Sequence, residues 1–147
     1  MQPLYVGIAL CAGAALPLQA LINARLAKLV GGPVWAATVS FLVGAFALLL
    51  FQVVSRVDAP ELGRAAAAPP WVWLGGVLGA IYVTGATMSV PHLGAAALVA
   101  LVVFAQMMAS LVLDHFGILL PEPQPITLLR LVGAVLLVIG VILVTRY

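Results

Sequence analysis

Apolar positions in this chain do not alternate with polar ones at the period of a strand, nor return every third or fourth residue. They run on, in five blocks each about as long as a bilayer is thick: Leu4–Leu21, Val34–Val54, Trp71–Ser89, Gly94–Leu113 and Thr127–Thr145. A hydrocarbon layer of about 30 Å takes roughly 20 apolar residues as helix. Lipid offers no partner to a free amide or carbonyl, so each block is expected as a helix. The pattern predicts an all-α integral membrane protein, five transmembrane helices in a single membrane domain over residues 1–147. An odd number of crossings puts the two chain ends on opposite sides of the membrane.

Between the blocks the breaks are short. Asn23–Pro33 reads as a connection ending in the turn Gly31-Gly32-Pro33, which stops one helix and starts the next. Ser55–Pro70 is the longest, with Arg56, Asp58, Glu61 and Arg64 ahead of an alanine run and Pro69-Pro70. Val90–Leu93 reads as a tight Pro-His turn. Asp114–Ile126 carries the run PEPQP (121–125), expected to be extended and at the surface. Tyr5, Trp35, Trp71, Trp73 and Tyr147 stand near block ends, as an interfacial aromatic belt requires. Tyr82 is different: it falls near the middle of the third block, where its hydroxyl needs a partner or a wet cavity.

Composition narrows the class. The 147 residues are 65% hydrophobic and 7% charged, against about one quarter charged in soluble domains. Six basic residues against four acidic ones are too few and too scattered for a nucleic-acid surface. Cys11, the single cysteine, cannot form an internal disulfide and reads as filler in the first span. Met1–Tyr5 has no basic residue for a signal-peptide n-region. Leu10 also spoils a lipoprotein site at Cys11, so the first block is kept as a mature helix.

Charge placement bears on orientation. Numbering the sides from the five spans, one side receives Arg56, Arg64 and Arg130, and the other Arg25, Lys28 and Arg146. Cytoplasmic loops ordinarily hold the excess of Lys and Arg that sets topology. Here the sides balance, which predicts insertion in both orientations; the alternative is that Arg25 and Lys28, close together, fix one.

Candidate chemistry lies in polar residues inside the spans, which are costly in lipid and face the bundle interior or a water-filled cavity. Gln19 and Asn23, four apart, share one helix face, and Pro17 upstream removes a backbone hydrogen bond and frees a carbonyl near Gly13. The pair either binds a polar solute or ties neighbouring helices together. Arg25 either snorkels to the headgroups or draws an anion to a cavity mouth. Gln106, Ser110 and Asp114 recur every fourth residue as a second polar stripe, with His115 at its end. Asp114 and His115 either relay protons at the mouth or anchor the helix end. Thr38 and Ser40 are weak signals, because hydroxyls often bond to their own helix, and Thr84 and Thr87 continue the third span beyond Tyr82. Gly75 and Gly79, with Gly76 and Ala80, form a small-xxx-small pattern that lets backbones approach. Gly133 and Gly140 punctuate an otherwise aliphatic fifth span and mark a packing surface, against its own bundle or a second copy. His92 and His115 sit in different connections, so no metal site and no cofactor are expected. No nucleophile–base set is apparent, which makes an enzyme the least expected class. No span centre holds a charged residue, which favours a neutral or anionic solute over a cation exchanged for a proton.

The segments LPLQALINARL (16–26), VSFLVGAFALL (39–49) and above all SLVLDHFG (110–117) resemble the YdcZ-like five-helix family of the drug/metabolite transporter superfamily. The resemblance covers essentially the whole chain. It implies a five-helix bundle that is half of an inverted-repeat ten-helix transporter in a bacterial inner membrane. Duplicating an odd-span unit produces that inverted architecture. A single half reaches it as an antiparallel homodimer, or with a homologous partner half, since family members also occur in pairs and as fused halves. The related small multidrug resistance transporters have an essential glutamate in the first helix; the comparable stretch here has Gln19 and Asn23 and no acid. The resemblance therefore does not extend to proton-coupled multidrug efflux.

Together these readings predict a secondary transporter of small organic solutes, a dual-topology antiparallel homodimer. Its midplane cavity would be lined by Gln19, Asn23, Tyr82, Gln106 and Ser110, with Arg25, Asp114 and His115 at the mouth and the Gly133/Gly140 helix at the dimer contact. A dual-topology passive channel and an accessory membrane protein without flux are the alternatives.

Overall fold

The computed structural model describes residues 2–119 and 123–147. They are helical almost throughout, with no strand among the described residues. The elements are α1 (Pro3–Val30), α2 (Pro33–Val54), a short α3 (Leu62–Ala66), a 3₁₀ turn (Pro70–Trp73), α4 (Leu74–Phe116) and α5 (Leu128–Arg146). Among the described residues, four stretches are long and apolar enough to cross a membrane: α1, α2, Pro70–Phe116 and α5. The third has 47 residues, more than twice what one crossing needs. It is interrupted at Gly94, whose φ of 77° and ψ of 164° lie in a region that essentially only glycine occupies. The expected third and fourth spans are the two parts of this helix, and the all-helical membrane architecture stands.

Two boundaries differ from the sequence reading. The expected Pro-His turn at Val90–Leu93 is helical, and the break comes at Gly94. Proline removes one donor but has helical φ; the conformation that stops the helix is the one only glycine reaches. Likewise Asn23–Pro33 is not a connection until its end. α1 runs on to Val30 and stops at Gly31, which is left-handed (φ 90°). The Gly32 N–H then donates to the Ala27 carbonyl at 2.8 Å, the closing bond of a Schellman cap. Arg25 and Lys28 therefore ride on the last turns of a helix. At ~1.5 Å per residue its 28 residues exceed the apolar thickness and carry both charges to the headgroup level.

The chain forms two compact units, Met1–His92 and Leu93–Tyr147. In the first, α1 and α2 pack as a hairpin across the Gly31-Gly32 turn. Ala20, Ala36 and Ala37 are buried there, with Val83, Ala86 and Val90 of α4. Such a core of small side chains suits helices packing in lipid, where close backbone approach replaces the hydrophobic drive. The large residues face outward: Leu10, Leu18, Phe46, Phe51 and Leu78 are all exposed. On a membrane protein this apolar exterior is the lipid-facing surface. Trp35, Trp71, Trp73, Tyr5 and Tyr147 are exposed too, as the aromatic belt requires. Within the described residues, the glycines of the small-xxx-small set have different surroundings. A Cβ at Gly79 would reach ordinary contact, 3.4 Å, with the Phe41 ring, whereas Gly75 and Gly76 have nothing within 4 Å. One glycine seats an aromatic ring; the other two leave an open strip.

In the long connection, Glu61 and Arg64 form a 2.8 Å ion pair, largely exposed, flanking α3. In the second unit, α5 begins at Thr127, whose hydroxyl accepts from the Arg130 N–H. Of the PEPQP run, Pro121 and Glu122 lie outside the described residues; residues 123–125 are non-helical and exposed.

Candidate functional site

In the first unit Gln19, Asn23 and Tyr82 come together. The helical register of α1 puts Leu16, Gln19, Ala20 and Asn23 on one face, and these line a small cavity with Tyr82, Val83 and Ala86 of α4. Its volume is about 10 Å³, near the least that admits one water. Asn23 is 2% exposed, and its Nδ2 is buried without a hydrogen-bond partner among the described residues. Leaving a buried donor unsatisfied costs about 1–3 kcal/mol, more than most single surface contacts contribute. A buried asparagine could have been a tether between helices; this one has a donor to spare.

Gln19 also faces α2. It lines a second cavity of about 330 Å³ with Ser40, Phe41, Gly44 and Leu48. Gly44 is at the middle of α2, so Gln19 sits near mid-membrane depth and Asn23 one turn closer to the Gly31-Gly32 end. Ser40 is a weak signal in the sequence because hydroxyls often bond to their own helix. Thr38 does so, to the Val34 carbonyl at 3.0 Å, and buried Thr87 does so to Val83 at 2.7 Å. The placement of Ser40 beside Gln19 depends on the α1–α2 pairing, which no local spacing reveals. Helical geometry continues through Pro17 without a break.

Gln106 and Ser110 lie on the second unit, both exposed, in the part of α4 after Gly94. At the end of that stripe Asp114 is engaged. Its Oδ2 accepts from the Arg130 guanidinium at 3.1 Å, and the same guanidinium donates to Gln124 Oε1. The Asp114 carbonyl also accepts from the Gln124 N–H at 2.7 Å. Asp114 at a helix C-terminus and Arg130 in a helix N-terminal turn each oppose the local helix dipole; pairing offsets both. His115 stands edge-on to Phe116, ring centroids 5.0 Å apart, and among the described residues no hydrogen bond links it to Asp114. Gly117 (φ 62°) closes this helix, with the Ile118 N–H on the Leu113 carbonyl at 3.0 Å. Gly133 and Gly140 line an apolar groove of about 580 Å³ with Ala96, Ala100 and Val103. No group of three or more metal-binding side chains occurs among the described residues.

A family comparison adds to this geometry. Residues 4–143 match the family described as "Putative inner membrane exporter, YdcZ". The chain belongs to the YdcZ family. Membership makes it an inner-membrane protein of transporter type, and it agrees with the helical, lipid-exposed architecture. No curated protein and no solved structure matches this YdcZ-family chain.

Proposed function

We propose that the chain is one half of a secondary transporter of small organic solutes, completed by a second copy in the opposite orientation. The observation that carries the reading is the Asn23 amide: buried, unpartnered and opening on a cavity shared with Gln19 and Tyr82. A buried donor that no protein group takes up is of use when a solute's carbonyl, hydroxyl or carboxylate oxygen accepts from it. Gln19 and Tyr82 add donors and acceptors for the same polar group. With room for one water, this conformation is the contracted one, and solute entry widens the gap between α1 and α4. Alternating access then follows from two copies exchanging conformations. Gln106 and Ser110 would complete the cavity, Arg25, Asp114 and His115 would stand at its mouth, and the groove at Gly133 and Gly140 would receive the second copy. The balance of three basic residues on each side supports dual insertion.

Purified protein in liposomes on a current-sensing surface, challenged with small organic anions, cations and neutral metabolites, tests this. A transient, saturable current is the expected result, and its sign gives the charge of the solute. A sustained, non-saturating current would make the protein a channel, and silence across the panel would leave an accessory protein. Gln106→Leu is expected to abolish transport while sparing dimerisation; an unchanged rate removes Gln106 from the cavity.

A further inference from the structure

A third concavity in the first unit has a different chemistry. It runs along α1 from Leu18 to Lys28, is walled by Leu18, Leu21, Ile22 and Pro91, and holds about 490 Å³. Arg25 and Lys28 stand at one end. Both are exposed, no acidic side chain lines the groove, and neither cation has an ion-pair partner among the described residues. The other arginines of this chain in ion pairs, Arg64 and Arg130, show what a carboxylate nearby would do.

The dimensions give the occupant. Leu18 adjoins Gln19, which is level with the middle of α2 at Gly44, so the apolar end of the groove is near the bilayer centre. Ten residues further on, at ~1.5 Å each, Lys28 is about 15 Å away. That is half of an apolar layer of about 30 Å, hence the depth of one leaflet. The groove thus begins at mid-membrane, runs apolar to the headgroup level and ends in two unpaired cations. The helix dipole accounts for Lys28 in the last turn of α1, but not for Arg25 nor for the apolar trough beneath them both.

We propose that this groove is a binding site for an anionic phospholipid, its acyl chain along Leu18, Leu21 and Ile22 and its phosphate between Arg25 and Lys28. Guanidinium and ammonium groups donate to phosphate oxygens with charge assistance, and basic recesses between transmembrane helices recognise anionic headgroups by this chemistry. The site goes beyond the transport reading, with which it shares only Arg25, and lipid retention is measured without flux, so the two readings fail separately.

Native mass spectrometry of the purified full chain, equilibrated with phosphatidylglycerol or with phosphatidylcholine of identical acyl chains, tests it. The expected result is about tenfold greater retention of phosphatidylglycerol. The pair Arg25→Gln with Lys28→Gln should bring it down to the phosphatidylcholine level, while Arg146→Gln, a cation at the far end of the chain, leaves it unchanged. Leu18→Trp, which fills the trough and keeps both charges, should lower retention of both lipids. Equal retention of the two lipids by the wild type would overturn the proposal, as would full retention by the double variant. Displacement of bound phosphatidylglycerol by a short soluble carboxylate at sub-millimolar concentration would also overturn it and make the groove a solute site.

Discussion

The end of α1 and the end of α4 are built alike and used differently. Each is closed by a left-handed glycine with a Schellman bond, Gly31 in one and Gly117 in the other, and each carries polar residues in its final turns. At the end of α4 the carboxylate finds partners: Asp114 meets Arg130, and Arg130 meets Gln124. At the end of α1 the polar groups do not. Among the described residues, Asn23 keeps a buried free donor, and Arg25 and Lys28 face a groove without an acid. A satisfied set lowers the energy of one arrangement and serves to fix it. An unsatisfied set stays costly until something binds, which is the property a recognition site needs.

The strongest way to break this contrast is to remove the spare donor. Asn23→Leu should lower transport by at least about tenfold, the loss expected when a hydrogen bond worth roughly 1.5 kcal/mol or more goes from a binding site. The same change should raise resistance to heat in detergent, since it removes a buried group that no protein partner satisfies; the gain is about 1–2 kcal/mol. Flux and thermal unfolding measured on one preparation decide it. If stability falls and flux persists, Asn23 is a structural tether after all.

The reverse outcome is expected at the other end. Asp114→Asn should destabilise the second unit by about 1–2 kcal/mol, because Arg130 loses its counter-charge in a half-buried setting. The double change Asp114→Arg with Arg130→Asp sharpens the test. It keeps the pair and moves each charge to the helix end whose dipole favours it, so stability should recover to wild type or slightly above. A thermal-unfolding series of the two single variants and the double gives the coupling directly. Additive losses would mean that the pair contributes nothing and that the contrast between the two ends is only apparent.

How far the sequence reaches follows from the same two ends. Apolar block length is a local property, so the helices and their membrane class were legible. The Gln19–Asn23 face needed only the helical period, and Tyr82 was marked by a hydroxyl at a depth where water is absent. Boundaries were less legible. Hydropathy falls at Ile22–Lys28 although the backbone stays helical, because a helix stops where its carbonyls are capped, at Gly31, and not where its apolar surface ends. By the same logic Pro91 drew the expected turn away from Gly94, the residue whose dihedrals make the break. Pairings at a distance were illegible: nothing in the spacing tells that Asp114 meets Arg130 sixteen residues later, that Ser40 lies beside Gln19, or that Gly79 seats Phe41.

The smallest effect separates the two caps themselves. Both glycines have positive φ, so alanine at either costs the left-handed penalty of about 1–2 kcal/mol. Their surroundings differ. A Cβ at Gly31 would meet nothing within 4 Å, whereas one at Gly117 would come to 2.9 Å of Pro123 Cγ and 3.4 Å of its Cα. The proline ring cannot swing aside as a flexible chain would, so the Asp114–Gln124 loop must shift. Gly117→Ala should therefore be the more damaging by roughly 1 kcal/mol, and the Asp114–Arg130 pair should weaken with it. Asparagine, which tolerates the left-handed region, should recover part of the loss at position 31 and little at position 117. Melting temperatures of the four variants measure this: a cap held only by its own dihedral is repaired by a change of residue type, and a cap pressed against a proline is not.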